Sequence, residues 1–147
     1  MKKILKKIDH INISVTDLES SKKFFIDLLG FKLEKEGILE GEWIDNVVGL
    51  PKVRAKYVQL SLNEFGTNLE LIQYYQPIGE KDPKISQANQ IGFRHIAFEV
   101  KDIEEIYQKL KDAGVKFFSG LQVYNGKKKL CYFKGPDDVI LELAEYN

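Results

Sequence analysis

The sequence repeats itself at an offset of 85 residues, and this repeat limits the possible folds more than any other feature of the chain. Residues 8–18 read IDHINISVTDL and residues 93–103 read FRHIAFEVKDI, and both contain the pattern His-Ile-x-apolar-x-Val-x-Asp-apolar. The two halves also end alike, in LELIQY at 69–74 and LELAEY at 141–146. Two matched segments in the same order indicate that the chain is a duplicated unit.

Each copy is predicted to begin with a strand followed by a helix. In 8–15, apolar residues alternate with polar ones, which is the period-two pattern of a strand with one apolar face. Asp17 and Asp102 then stand where a helix N-cap is expected, because their carboxylates can accept hydrogen bonds from the free N–H groups of the first turn. Apolar residues at helical spacing follow in both copies, and each helix is expected to end at a glycine, Gly30 or Gly114.

Three further strands are predicted in each unit. They lie near 32–36, 54–62 and 67–75 in the first unit and near 115–118, 122–134 and 138–146 in the second. The sequence therefore predicts an α+β fold of two tandem βαβββ units, whose curved mixed sheets form a trough with the helices on the outer face. We expect a single domain over 1–147, made of a first unit at about 6–76, a polar, proline-containing linker at 77–91 and a second unit at about 92–147.

Four side chains are predicted to share the face of the sheets that is opposite to the helices. Successive residues of a strand point to opposite sides, so His10 and His95 point away from the apolar neighbours that meet the helices. Glu70 and Glu142 each lie between two leucines and point away from them. Taken singly, a strand histidine is more often structural and such a glutamate is more often solvated, but the only two histidines of the chain occupy the same position of the repeat. Imidazole and carboxylate are good ligands for first-row divalent ions, so we expect the trough to bind a metal on these four residues.

Composition argues against several classes of protein. The 22 Lys and Arg residues balance 22 Asp and Glu residues, so neither a nucleic acid nor an anionic membrane is expected as a partner. No stretch approaches the roughly 18 apolar residues of a membrane span, and the basic start lacks the apolar region of a signal peptide. Cys131 is the only cysteine and lies in a predicted strand, so we expect it to be a packing residue and the protein to be cytoplasmic.

The motifs of both halves resemble those of the vicinal oxygen chelate superfamily, which includes glyoxalase I, extradiol dioxygenases and bleomycin-resistance proteins. The segments that carry the resemblance are IDHI at 8–11, TDLE at 16–19, FIDLLGF at 25–31, RHIAFEVKDI at 94–103 and ILEL at 140–143. The turn at 135–138 reads GPDD and departs from the Asp-Pro-Asp-Gly of many members. The resemblance implies that His10, Glu70, His95 and Glu142 are the metal ligands, that the ion is Ni, Zn, Co, Fe or Mn, and that the chain forms a homodimer.

Within this superfamily the His/Glu/His/Glu set is similar to that of glyoxalase I, or lactoylglutathione lyase, and its isomerase relatives. The resemblance implies proton transfer next to a metal-bound carbonyl through an enediolate, with Glu142 as the base and Glu70 as its counterpart. We expect a small-molecule substrate, for which Trp43 is a candidate lid or else a core residue, and Arg54 a candidate contact for a carboxylate or phosphate.

Three alternatives to this reaction stay open. They are a methylmalonyl-CoA epimerase-like isomerase, a small-molecule or antibiotic binding and resistance protein, and a dioxygenase. The fourth ligand, Glu70, weighs against the dioxygenase, because that class resembles a 2-His-1-carboxylate pattern with three open positions.

Overall fold

The structure is a computed structural model that describes residues 2–64 and 66–147. The chain divides into two units, Met1–Glu80 and Lys81–Asn147, which are called unit 1 and unit 2 below. Each unit contains a four-stranded mixed sheet with helices, so the predicted α+β fold of two tandem βαβββ units is confirmed. That the two units form a single domain stays a prediction.

Unit 1 contains four strands and two helices among its described residues. Their bounds are β1 (His10–Ser14), α1 (Leu18–Lys23), β2 (Lys32–Glu40), α2 (Glu42–Val48), β3 (Arg54–Ser61) and β4 (Asn68–Gln76). A π-helical turn, Phe24–Leu28, continues α1. The strand order is β1-β4-β3-β2, in which β1 is parallel to β4 and the other neighbours are antiparallel.

Unit 2 repeats this arrangement with one helix fewer. Its bounds are β5 (His95–Glu99), α3 (Ile103–Asp112), β6 (Gln122–Tyr124), β7 (Lys128–Lys134) and β8 (Ile140–Tyr146). The strand order is β5-β8-β7-β6, and β5 is again parallel to its neighbour β8. The predicted linker at 77–91 contains turns and neither helix nor strand. In the part of the chain that the structure describes, no helix is long and apolar enough to cross a membrane.

Both units attach their helix to their sheet in the same way. The predicted N-caps Asp17 and Asp102 stand at the starts of α1 and α3, where each accepts a hydrogen bond from a first-turn N–H. A side-chain oxygen of the last strand adds a second contact. Gln73 Oε1 accepts from the first N–H of α1 at 2.8 Å, and Glu145 Oε1 accepts from the first N–H of α3 at 3.1 Å. These contacts satisfy N–H groups that a helix start otherwise leaves free, and they fix which face of each sheet meets the helix.

In unit 1 a buried cluster packs α2 against the face of the sheet opposite to α1. In both units, other core residues of the strands lie on the side that faces α1 or α3. The almost fully buried strand residues on this side are Val58, Leu60 and Leu71 in unit 1 and Cys131, Phe133, Leu141 and Leu143 in unit 2. Because side chains alternate along a strand, the residues between them point to the other face of the sheet. That other face carries the four predicted metal ligands.

The prediction of one long strand at 122–134 is wrong, because this segment is the hairpin of β6 and β7. Asn125 and Gly126 both have positive φ, 52° and 63°, as the two central residues of a type I′ turn require. The Lys127 N–H donates to the Tyr124 carbonyl at 3.1 Å and closes the turn. The Asn-Gly pair is a strong hairpin indicator in a sequence, so the turn was visible there.

The predicted strand at 115–118 is also wrong, because only one isolated bridge joins Phe117 to Phe133 of β7. Two backbone hydrogen bonds flank this bridge, from the Phe118 N–H to the Tyr132 carbonyl at 3.0 Å and from the Lys134 N–H to the Lys116 carbonyl at 2.9 Å, so the pairing with β7 is too short to form a strand. The Phe117 ring also packs against the rings of Tyr107 and Phe133, with centroids 4.4 and 5.7 Å apart. In unit 1, β2 continues four residues beyond the predicted end at residue 36, to Glu40, and is followed by α2, which the sequence patterns did not predict.

Candidate active site

Unit 1 brings His10 and Glu70 together on the face opposite to α1. The parallel register of β1 and β4 sets Asn12 beside Glu70, and His10 is one alternation earlier on β1. His10 Nε2 lies 4.0 Å from Glu70 Oε2, and Asn12 Nδ2 donates to Glu70 Oε1 at 2.8 Å. The Glu70 carboxylate is therefore held by a neutral amide on one oxygen and faces the imidazole with the other.

Asp9 orients the His10 ring. Asp9 Oδ2 lies 2.8 Å from His10 Nδ1, and the hydrogen bond with His10 is the largest of the interactions that lower the pKa of the Asp9 carboxyl. With Nδ1 engaged in this way, Nε2 is the ring nitrogen that faces Glu70. Metal-binding histidines usually donate their other ring N–H to a carboxylate or carbonyl, which fixes the orientation of the ring. Asp9 was not predicted from the sequence, although it directly precedes the histidine, because the second copy of the repeat has Arg94 at that position.

Unit 2 places His95 and Glu142 in the corresponding positions. The register of β5 and β8 sets Ala97 beside Glu142, and His95 Nε2 lies 3.5 Å from Glu142 Oε1. Glu142 is only 5% exposed, and the ring of Tyr132 lies 4.9 Å from the His95 ring between centroids. The carboxylate of the unit 2 pair, Glu142, is therefore more deeply buried than that of the unit 1 pair, Glu70.

Lys128 provides the positive charge next to the buried Glu142 carboxylate. Lys128 Nζ lies 3.5 Å from Glu142 Oε2 and 5.2 Å from the centroid of the Tyr146 ring. Hydrogen bonding to Tyr146, followed by the interaction with Glu142, raises the pKa of the Lys128 ammonium. Lys128 was not predicted from the sequence, although strand alternation places it on the same side of β7 as Tyr132, which pairs with Glu142. At the corresponding position, opposite Tyr74, unit 1 has Ala55.

The donor atoms of each pair are suited to a shared divalent ion. Two atoms that each lie about 2.1 Å from one ion are roughly 3.0–3.4 Å apart, and the observed separations are 3.5 and 4.0 Å. Small side-chain rotations therefore suffice for either pair. Among residues 2–64 and 66–147, no group of three or more His, Cys, Asp or Glu side chains is placed to hold a metal ion. Each unit by itself supplies two donors, half of the predicted set of four.

A hollow of about 600 Å³, called the unit 1 hollow below, opens beside the first pair. Its polar lining consists of Asp9, His10, Asn12, Lys35, Gln59 and Glu70, and its apolar and aromatic lining of Leu39, Trp43, Ile44, Val47, Val48, Tyr57, Ile72 and Tyr74. Trp43, the candidate lid, thus lies in the same hollow as two predicted metal ligands. Its indole N–H donates to the Glu40 carbonyl at 3.1 Å.

Arg54, the other candidate substrate contact, lies elsewhere in unit 1. It lines a smaller hollow of about 270 Å³ together with Glu40, Glu42, Asp45 and Lys52. This hollow contains none of the predicted metal ligands. The structure therefore brings Trp43, but not Arg54, to the lining that contains His10 and Glu70.

Comparisons with known proteins find relatives of nearly the whole chain. The sequence model of a family described as the glyoxalase/bleomycin resistance protein/dioxygenase superfamily matches residues 7–143. The chain is 32% identical to the uncharacterized protein YaeR of Escherichia coli, over 96% of this chain and 97% of that protein. It is 28% identical to glyoxalase I of Saccharomyces cerevisiae, over 95% of this chain and 45% of that protein. The solved structure of a glyoxalase family protein from Bacillus cereus is similar with a TM-score of 0.89, at 26% identity over 99% of this chain and 97% of that one.

Proposed function

Because the chain belongs to the glyoxalase/bleomycin resistance protein/dioxygenase superfamily, whose members bind small molecules and generally use a divalent metal, we propose that it is a metal-dependent lyase or isomerase of the glyoxalase type. The observation that carries the proposal is the repeated imidazole–carboxylate pair, at 4.0 Å in unit 1 and 3.5 Å in unit 2. A protein that only sequesters a small molecule has no need of two such pairs at equivalent strand positions.

The ion would be held by His10, Glu70, His95 and Glu142. These are two neutral nitrogen and two anionic oxygen donors, a set that suits Ni, Zn, Co, Fe or Mn and leaves positions for substrate oxygens on a six-coordinate ion. When bound, such an ion polarises a carbonyl and stabilises the negative charge that develops on its oxygen. The protein must then move a proton at the neighbouring carbon.

We assign the proton transfer to Glu142, with Glu70 as its counterpart. The base takes the proton from the carbon next to the carbonyl and returns it to the adjacent carbon. Glu70 accepts a 2.8 Å hydrogen bond from Asn12, whereas Ala97 occupies the corresponding position beside Glu142 and has no side-chain donor. Glu142 instead lies 3.5 Å from the His95 imidazole and 3.5 Å from the Lys128 ammonium, and it has no amide partner of the kind that holds Glu70.

The test begins with the metal content of protein purified without chelator, which we expect to reach one ion per chain. The hemithioacetal of methylglyoxal and glutathione and methylmalonyl-CoA are then assayed with added Ni, Co or Zn. Turnover of the hemithioacetal supports the lyase. Turnover of methylmalonyl-CoA supports the epimerase-like alternative. If no divalent ion binds, the metal-dependent function is refuted and a binding or resistance protein is favoured.

Glu142→Gln tests the assignment of the base. We expect it to lower kcat by roughly 10²–10⁴-fold, because an amide cannot take the proton. The matched control is Glu145→Gln, since Glu145 lies three residues further along β8 and contacts the start of α3, where unit 1 already uses Gln73. Full activity in Glu142→Gln would refute the role of this residue.

A further inference from the structure

Helix α2 makes the unit 1 hollow different from anything in unit 2. In unit 1 the connection between β2 and β3 contains α2, whereas β6 and β7 are joined by a tight turn at Asn125 and Gly126. The helix supplies Trp43, Ile44, Val47 and Val48 to the lining. The duplicated units are therefore not equivalent, because a helix supplies the apolar wall in unit 1, whereas in unit 2 the ring beside His95 is that of Tyr132, which contacts Phe118.

The wall is fixed against the sheet face that carries Glu70. Ile44 of α2 is buried in a cluster with Val53, Ala55 and Ile72, and Ile72 is two residues from Glu70 on β4. The loop after α2 is attached as well, since the Asp45 carboxylate accepts hydrogen bonds from the N–H groups of Lys52 and Val53 at 3.0 and 2.7 Å. A helix anchored by a buried residue and by its following loop forms a preformed side of a binding site.

Part of this wall stays open to solvent. Trp43 is 58% exposed and Val47 is 72% exposed, although both line the hollow. The core cluster uses Ile44 and leaves these two side chains free to contact a ligand. An apolar ligand group that covers them would gain by removing their surface from water.

The charged side chains of the hollow lie in one row across the sheet, because Lys35 and Glu70 both pair with Gln59, whereas α2 packs on Ala55 and Ile72, further along the strands. Among its described lining residues, the only cation is Lys35, the anions are Asp9 and Glu70, and no guanidinium is present. The α2 end contains hydrocarbon and aromatic side chains. A charged group that packs against this wall would lose part of its water without gaining an ionic partner among these lining residues, which is costly.

We propose that the substrate is a carbonyl compound whose non-reacting part is a hydrocarbon or aromatic group, and that this group binds the α2 end of the unit 1 hollow against Trp43 and Val47. The carbonyl would then lie at the end of the hollow that contains His10 and Glu70. This inference rests on the proposed function for the reacting group, but the binding of the apolar group does not require the reaction.

Trp43 itself reports the binding, because it is the only tryptophan of the chain. The probes are 2-oxooctanoate, which has an apolar tail, pyruvate, which has almost none, 2-oxoglutarate, whose tail is charged, and glutathione. We expect 2-oxooctanoate to shift the Trp43 emission to shorter wavelength and to bind on the order of 100-fold more tightly than pyruvate, since each buried methylene adds affinity. 2-Oxoglutarate and glutathione should produce no such shift. Equal affinity for 2-oxooctanoate and 2-oxoglutarate, or tighter binding of glutathione, would overturn the proposal.

Val47→Asp tests whether the apolar part of the ligand contacts the α2 wall, because it places a carboxylate in this wall at a mostly exposed position. We expect it to weaken 2-oxooctanoate binding about tenfold or more. The matched control is Ile38→Asp on β2, since Ile38 is 69% exposed and does not line the hollow. The control should bind like the wild type, and circular dichroism should show the same fold for both variants. Unchanged binding in Val47→Asp would contradict the assignment.

The binding test and the test of the proposed reaction can fail independently of each other. If no metal binds and no substrate turns over, but 2-oxooctanoate still shifts the Trp43 emission, the proposed reaction is refuted and the proposed binding of an apolar group at α2 is supported. If the glutathione hemithioacetal turns over with bound metal while 2-oxooctanoate leaves Trp43 unaffected, the reaction stands and this inference is refuted.

Discussion

The two imidazole–carboxylate pairs differ in the groups that surround them. In unit 1, each residue of the pair has a hydrogen-bonding neighbour: Asp9 bonds to His10, and Asn12 donates to Glu70. In unit 2, the residue before His95 is Arg94, whose guanidinium donates to the backbone carbonyls of Phe93 and Gln87. The sequence repeat preserves the donor atoms, while the residues that orient them have diverged.

Removal of the Asp9 carboxylate should weaken metal binding. We expect Asp9→Ala to lower the affinity about 10- to 100-fold, because the His10 ring loses the partner that fixes its orientation. A competition titration against a coloured chelator measures the change. Asp112→Ala is the control, since Asp112 accepts a hydrogen bond from Gln108 on α3. The same affinity in Asp9→Ala as in this control would show that Asp9 has no such role.

Cys131 should be unreactive in the folded protein. Burial raises the pKa of its thiol to about 11, so only about one molecule in a thousand carries the thiolate at pH 8. We expect alkylation by iodoacetamide at pH 8 to be about 100-fold slower in the native protein than in urea. Because the folded pKa is raised, the thiol's contribution to stability is present below about pH 9 and is lost as the pH rises towards 11. Equal native and unfolded rates would contradict the burial of Cys131.

At the scale of the elements, local patterns predicted those strands and helices whose side chains alternate or recur regularly. The strands at β1, β4, β5 and β8 and the caps of α1 and α3 follow from alternation and from two aspartates. Helix α2 has only seven residues, which is too short for a helical period to stand out. The apolar residues at 115–118 pair with β7 only at one bridge, and an apolar pattern alone does not show how far such pairing extends.

The hairpin turn between β6 and β7 should depend on Gly126. We expect Gly126→Ala to lower the free energy of unfolding by about 1 kcal/mol, because φ is +63° there and an L side chain is strained in that region. Gly79→Ala is the matched control, since an added Cβ meets no atom within 4 Å at either position and Gly79 has no positive φ. Urea unfolding measures both. A loss no larger for Gly126 than for Gly79 would refute the turn assignment.

In the whole molecule, the sequence predicted the imidazole and carboxylate groups that lie together in each unit but not their surroundings, and metal binding by these groups stays a prediction. Strand parity and the repeat identified His10, Glu70, His95 and Glu142, and the structure places each histidine near the glutamate of its own unit. Lys128 was not predicted, because the residue of β7 that pairs with Glu142 is Tyr132. Lys128 lies four residues earlier on β7 and reaches Glu142 only through its long side chain. Contacts made by long side chains depend on three-dimensional reach, which a strand pattern does not contain.

Association of two chains stays a prediction of the family resemblance. A homodimer should have a mass in solution of about twice the 17.0 kDa of one chain, measured by light scattering during gel filtration. A single species at the mass of one chain would refute it. The number of ions per chain is the same whether the two units that complete a site belong to one chain or to two.

Metal titration calorimetry of the wild type, His10→Ala and His95→Ala tests whether both units contribute to one metal ion. We expect one ion per chain in the wild type, and a loss of affinity of at least about 100-fold when either histidine is removed, because each variant leaves three ligands. Two independent ions per chain, or undiminished affinity in either variant, would show that the units do not share an ion.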